Sequence, residues 1–246
     1  MKIYSYKKGS ISYEKNLIQA LDIDLEKDKI ITLVGAGGKT STIFELGKEF
    51  SNLNKKTIIT TTTHMGFDKD FILIEKDNDI KKIENILEKF PLIKVGKKES
   101  EYKVKSLDFD LLKKIILLGD FILIEGDGSK NLPLKAPKDN EPVIIKETNL
   151  VIGIMGFDSI NKKIKDICHR PELVSKLLRK DLDEIIDYKD LVEIAQHENG
   201  LKKNVNCKYK VIINKVDKEE NLELCKNIAN LCEKSNIDVI FTSYKI

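Results

Sequence analysis

The sequence has no apolar run approaching the roughly 20 residues that cross a bilayer as a helix. It has no excess of one charge either: 43 basic residues face 40 acidic ones, for a formal net charge of +3. A nucleic-acid partner would require a basic face or stripe. The lysines are instead spread along the chain, and runs such as Lys162-Lys163 read as solvated surface. Neither nucleic acid nor a membrane is expected as a partner. The four cysteines, Cys168, Cys207, Cys225 and Cys232, include no pair with the two-residue gap of a zinc or redox motif. They read as reduced and structural, in a reducing compartment. Cys225 and Cys232 lie on a predicted helix at a spacing that lets them share its buried face. No Gly/Ser linker or low-complexity segment divides the chain, and the first residues, with Lys7, Lys8 and Glu14, lack a secretory apolar segment. These absences leave a cytoplasmic globular protein as the expectation. A chain of 246 residues, 41% of them apolar, fits a single large domain over residues 1–246.

What the chain does have is an alternation of short β-rich runs with helical patterns. Residues 30–34 (IITLV) read as a buried strand running straight into glycines. Residues 42–50 read as a helix with Ile43, Leu46 and Phe50 on one face. Further strands are expected at 57–60, 71–75, 92–95, 121–125, 150–154, 210–213 and 238–242. Further helices are expected at 80–90, ended by Pro91, at 107–118, ended by Gly119, and at 221–234. The rhythm predicts an α/β fold of P-loop NTPase-like type, with a mainly parallel sheet covered by helices on both faces. Residues 166–203 break the rhythm and predict a helical insertion, with its helical stretch opening at Pro171 and reaching about Gln196.

The first chemical motif is Leu33-Val34-Gly35-Ala36-Gly37-Gly38-Lys39-Thr40-Ser41. A strand feeding a glycine turn that feeds a helix lets backbone N–H groups approach phosphate oxygens at a partially positive helix end. Lys39 is placed to reach the β- and γ-phosphates, and the Thr40 hydroxyl to ligate Mg²⁺. Leu33 stands where the longer phosphate-loop pattern has glycine, so the match is to the shorter Gly-x-x-Gly-Lys-Thr form. That form resembles the loop of Mur-type ligases and, more loosely, of metallochaperone GTPases. The second motif is the strand end Glu125-Gly126-Asp127-Gly128. Extended chain turns residues i and i+2 the same way, so Glu125 and Asp127 are both expected at the nucleotide. One would hold Mg²⁺ and the other would orient a nucleophile. Thr60-Thr61-Thr62-Thr63 closes another strand with hydroxyls that suit phosphate or a second substrate, although β-propensity alone also explains threonines there. The third motif, Asn214-Lys215-Val216-Asp217, follows a strand as the guanine-reading Asn-Lys-x-Asp of GTPases does, with Thr242-Ser243-Tyr244-Lys245 in the place of the second base contact. The alternative is a plain surface turn, which leaves GTP and ATP both open.

Taken together, these residues resemble the accessory proteins of selenium-dependent molybdenum hydroxylases, the YqeC type. The likeness runs through the glycine loop, the threonine run and Glu125-Gly126-Asp127-Gly128-Ser129-Lys130. It continues in Pro133-Leu134-Lys135-Ala136-Pro137, His169-Arg170-Pro171-Glu172 and Asn214-Lys215-Val216-Asp217, in order along nearly the whole chain. Gly126 departs from the alanine expected there. The resemblance implies a role in maturing such a hydroxylase or its molybdenum cofactor, with the hydroxylase or a cofactor-maturation protein as partner. Carried over, Lys39, Thr40, Glu125 and Asp127 form a nucleotide–Mg²⁺ site, and Lys135, His169 and Arg170, with Thr62 and Thr63, contact a second substrate. His169-Arg170-Pro171-Glu172 also reads as an ordinary helix start. Three functions stay open: an NTP-hydrolysing maturation factor, a Mur-like ATP-dependent ligase or kinase acting on a small molecule, and a nucleotide-gated binding module without turnover.

Overall fold

In the computed structural model, which describes residues 1–245, the first elements are β1 (Lys2–Lys7), β2 (Ser10–Tyr13), α1 (Leu17–Ala20), β3 (Ile30–Gly35) and α2 (Lys39–Asn52). They are followed by β4 (Thr57–Thr61), β5 (His64–Gly66), β6 (Phe71–Leu73), α3 (Ile80–Leu87), β7 (Leu92–Lys98), β8 (Lys103–Lys105) and α4 (Phe109–Ile115). Next come β9 (Phe121–Glu125), β10 (Leu134–Lys135), β11 (Leu150–Gly156), α5 (Ile164–Ile167), β12 (Cys168–His169), α6 (Pro171–Leu178) and α7 (Tyr188–Gln196). The chain closes with β13 (Lys208–Asn214), α8 (Leu222–Lys234) and β14 (Asp238–Ser243).

The main sheet runs β2-β1-β14-β13-β11-β3-β9-β4-β7-β8-β5, with β6 paired to β7. From β14 across to β7 and β6 every pairing is parallel. The antiparallel pairings lie at the edges, where β1 and β2 extend one side and β8 and β5 the other. Central parallel strands are covered on both faces and are therefore apolar throughout: β9 and β11 are buried at every position. Helices α1 and α2 pack on one face, over Ile31, Leu33, Leu123, Ile152 and Ile212. On the other face α3 and α4 cover Ile58, Ile122 and Ile124, and α7 and α8 cover Val211, Ile213 and Phe241. Among the described residues no helix is long and apolar enough to cross a membrane.

Two features of this frame place the site. The chain leaves β3 through α2 toward β4 on one side, whereas β11, β13 and β14 lie on the other. Their crossovers pack on opposite faces, which opens a crevice at the carboxyl ends of β3 and β11, where ligands of open α/β sheets gather. Helix α2 is fixed to β9 by the stacked rings of Phe50 and Phe121, with centroids 3.9 Å apart. It stops in a Schellman turn, with Asn54 at φ 56° and Lys55 N donating to Phe50 O at 3.1 Å.

The strands expected in the central sheet form as read, with changes at their ends. β6 stops at Leu73, short of residue 75, because it is an edge strand paired with β7 alone among the described residues. The helices expected at 80–90 and 107–118 are shortened to α3 and α4. The helical stretch from Pro171 to Gln196 holds two helices: Arg179 turns left-handed at φ 55° and ends α6, and Asp187 caps α7 through Lys189 N and Asp190 N.

Candidate functional site

The glycine loop is made by close approaches. Gly37 has φ 80° and Gly38 φ 145°, conformations that a side chain resists. A Cβ on Gly37 would lie 2.3 Å from Gly156 N, and one on Gly38 would lie 2.3 Å from Asn214 Nδ2. The loop is fastened from behind: Ala36 N donates to Ile154 O at 2.8 Å, Gly37 N to Leu132 O at 3.1 Å, and Asn214 Nδ2 to Gly37 O at 2.8 Å. Thr242 Oγ1 donates in turn to Asn214 Oδ1 at 3.0 Å. Helix α2 starts at Lys39 with no side chain capping it among the described residues, so the amides of its first turn are left for another acceptor. Residues Gly37 to Ser41 line a cleft of about 900 Å³.

Beneath the loop runs a chain of alternating charges. The buried Lys39 ammonium donates to Gly35 O at 2.5 Å and pairs with Asp127 at 3.2 Å and Glu125 at 3.9 Å. Asp127 accepts the Gly35 N–H on both oxygens at 3.1 Å and takes the Lys135 ammonium at 2.9 Å. Lys135 also donates to Gly128 O at 2.7 Å and to Glu141 at 2.9 Å. Glu141 receives both arms of the Arg170 guanidinium, at 2.7 and 2.9 Å. A buried charge alone costs several kcal/mol, and here each is answered by the next. Burial pushes the Glu141 carboxyl up, but Arg170 and Lys135 outweigh burial and hold it at about 2.

The strand register explains why two carboxylates expected side by side take different surroundings. β9 ends at Glu125, so its alternation does not extend to Asp127. Glu125 lines the cleft and accepts from Thr40 Oγ1 at 3.3 Å. Burial raises its pKa, opposed by Lys39 and reinforced by Asp127. Asp127 is 1% exposed, wrapped by two lysines and the Gly35 amide, and does not line the cleft. Both carboxylates thus meet the Lys39 ammonium, Glu125 from the cleft side and Asp127 from behind it.

The cleft joins Lys39, Thr40, Ser41 and Glu125 to Thr62, Thr63, His169, Arg170 and Lys215. Thr62 Oγ1 donates to Val143 O at 2.7 Å, while Thr63 Oγ1 is buried without a partner among the described residues. His169 and Arg170 arrive through the pairing of β10 with β12, which sets Lys135 beside His169. Arg170, at φ 62°, precedes α6, and Pro171 occupies the first turn of that helix, as the helix-start reading has it. Burial, then the charges of Arg170, Lys135 and Lys130, lower His169 to about 4, so its imidazole is neutral near pH 7. Lys135, expected as a substrate contact, is 1% exposed and spends its three donors on protein oxygens. Gly35, Ala36 and Asn214 back the loop rather than line the cleft. Asp217 does not line it either: its carboxylate accepts from Ser243 Oγ at 2.7 Å and pairs with Lys245 at 2.8 Å. Lys215, at φ 68°, pairs with Asp158 at 2.7 Å. Glu141, Lys103, Lys105 and Lys138 belong to the site without having been read from the sequence. Each sits in a stretch with no recognisable pattern.

A family model described as YqeC protein matches residues 31–172. The chain belongs to the YqeC protein family. The YqeC span begins in β3 and ends in the first turn of α6, so it takes in the glycine loop, the acidic strand end and the whole charge chain to Arg170. It stops before Asn214. A YqeC relative from Escherichia coli (strain K12), carrying the description "Uncharacterized protein YqeC", is 29% identical over 232 residues, which is 90% of this chain and 91% of the relative. No solved structure matches.

Proposed function

We propose that this YqeC-family chain binds a nucleoside triphosphate with Mg²⁺ at the glycine loop and hydrolyses it. In this reading it serves as an accessory factor in the maturation of a selenium-dependent molybdenum hydroxylase or its cofactor. The observation that carries the nucleotide reading is the meeting, in one cleft, of the glycine turn, the uncapped start of α2 and the buried Lys39. The amides and helix end favour an oxyanion, and an ammonium on the β- and γ-phosphates stabilises charge during transfer. Thr40 and Glu125, joined by a hydrogen bond, would hold the metal, as suits a hard cation that prefers oxygen ligands. Bound Mg²⁺ neutralises charge on the phosphate oxygens. Asp127 acts through Lys39 as a positioning residue, holding the ammonium at the loop when no phosphate is there. The bond from Asn214 to the loop carbonyl supports a guanine reading, because it ties the Asn-Lys-x-Asp segment to the phosphate end of the site. The maturation role rests on the family motifs.

A second reading, a ligase or kinase acting on a small molecule, is favoured by the size of the cleft, which continues from the loop to His169 and Arg170. One assay addresses both readings. Lys39→Ala should abolish triphosphate binding and phosphate release, and because it strips Asp127 and Glu125 of a buried cation it should also lower the melt, so binding is read at a temperature where circular dichroism shows the variant folded. Unchanged affinity and turnover in the folded variant would refute the phosphate-loop reading. In the parent, slow release without any acceptor supports the hydrolase, and release that requires an added small-molecule acceptor supports the ligase or kinase.

A further inference from the structure

We propose that the part of the cleft beyond the glycine loop binds a second small-molecule anion, one carrying phosphate or several carboxylates, as the co-substrate of the nucleotide reaction. This rests on the nucleotide reading and adds the chemical class of its second ligand. The cleft, at about 900 Å³, is at the upper end of the roughly 300–1,000 Å³ of small-molecule sites. Its charge is one-sided. Lys103 and Lys105 line it from β8, Lys130 and Lys138 from the segment between β9 and β11, and Arg170 from the start of α6.

The register of β5 against β8 accounts for the first pair. Val104 and Met65 are buried in the core, and strand alternation turns Lys103 and Lys105 outward, on the side that lines the cleft. The acidic residues in the lining are Glu125 and Glu141. Both are already answered, Glu125 by Lys39 and Glu141 by Lys135 and the Arg170 fork. Lys138 reaches Glu141 only at 3.9 Å, and Lys103, Lys105 and Lys130 have no ion-pair partner among the described residues. A cleft lined by one sign of charge concentrates ligands of the other. The cleft lining also holds hydrogen-bond donors: the Thr63 hydroxyl is buried without a partner among the described residues, and the neutral His169 imidazole carries one N–H. Arg170 holds a left-handed backbone there at φ 62°, a strain that clusters at ligand clamps. The triphosphate draws on Lys39 and the α2 amides, so Lys103, Lys105, Lys130 and Lys138 are surplus to it.

The test titrates inorganic pyrophosphate into the full chain by calorimetry, without nucleotide or Mg²⁺. It compares the parent, Lys39→Ala, and the triple variant Lys103→Gln, Lys105→Gln, Lys130→Gln, whose three sites are exposed. The parent should bind pyrophosphate at two sites. Lys39→Ala should keep one of them, and the triple variant should weaken that same one by about tenfold, the sum of several exposed charge contacts, while keeping the Lys39-dependent one. A single site that disappears with Lys39→Ala and is unmoved in the triple variant overturns the second-anion site and leaves the phosphate loop standing. Binding that ignores Lys39→Ala but falls in the triple variant upholds the second-anion site and refutes the nucleotide reading on which its co-substrate role rests.

Discussion

Glu141→Gln removes one anion from the middle of the charge chain while keeping the shape of the side chain. Glu141 is held at about 2 against an ordinary value of 4.5. At 1.36 kcal/mol per unit this is about 3 kcal/mol, and solvent screening at the cleft wall reduces it to about 2 kcal/mol. The unfolded chain takes up the proton near pH 4.5 and the folded chain only near pH 2. The stabilisation is therefore complete above about pH 4.5 and is lost as pH falls toward about 2. At pH 7 the variant should unfold in urea with a midpoint lower by about 1 M, for a slope of about 2 kcal/mol/M. Between pH 5 and pH 3 the gap between parent and variant should shrink by about half, since only the parent titrates there. A gap absent at pH 7, or one that stays constant from pH 7 to pH 3, would refute the view that Arg170 and Lys135 depend on this carboxylate.

Gly38→Ala should destabilise the fold by about 1–3 kcal/mol and weaken nucleotide binding, because a methyl group there meets Asn214 and the backbone is at φ 145°; thermal melts and binding isotherms check both effects. Glu125→Gln should abolish the Mg²⁺-dependence of nucleotide affinity, whereas Asp127→Asn should lower affinity equally with and without the metal, since Asp127 works through Lys39. A Mg²⁺-selective effect of Asp127→Asn would reverse the two roles. The parent should prefer GTP to ATP, and Asp217→Asn should shift preference toward XTP, because an amide donates where a carboxylate only accepts; competition among the three nucleotides reads this directly, and an ATP preference removes the guanine reading.

The parallel core was legible because strands buried on both faces are continuous apolar runs, as in residues 30–34 and 121–125. The edges were not. β1 buries Ile3 and Ser5 in a brief alternation, and β5 and β8 have three residues each, too few to carry a period. In the site, the glycine loop was readable since its residues are contiguous. The charge chain was not, because it joins positions 39, 127, 135, 141 and 170 through folding alone, and Glu141 lies in a loop with no strand or helix period to single it out from Asp139. The different surroundings of Glu125 and Asp127 were not legible, because alternation holds only while a strand lasts and β9 ends at Glu125.

The bond from Asn214 to Gly37 spans 177 residues of chain. The loop is thus braced by a strand made in the last stretch of synthesis, and domains of this kind fold as units once their distant partners are present. A nascent chain that has reached α6 already contains every residue of the glycine turn, yet lacks the strand that stiffens it. Competence of the loop is acquired late, so any variant that loosens β13 or β14 should be felt first at the far end of the sequence, as a slack turn after β3.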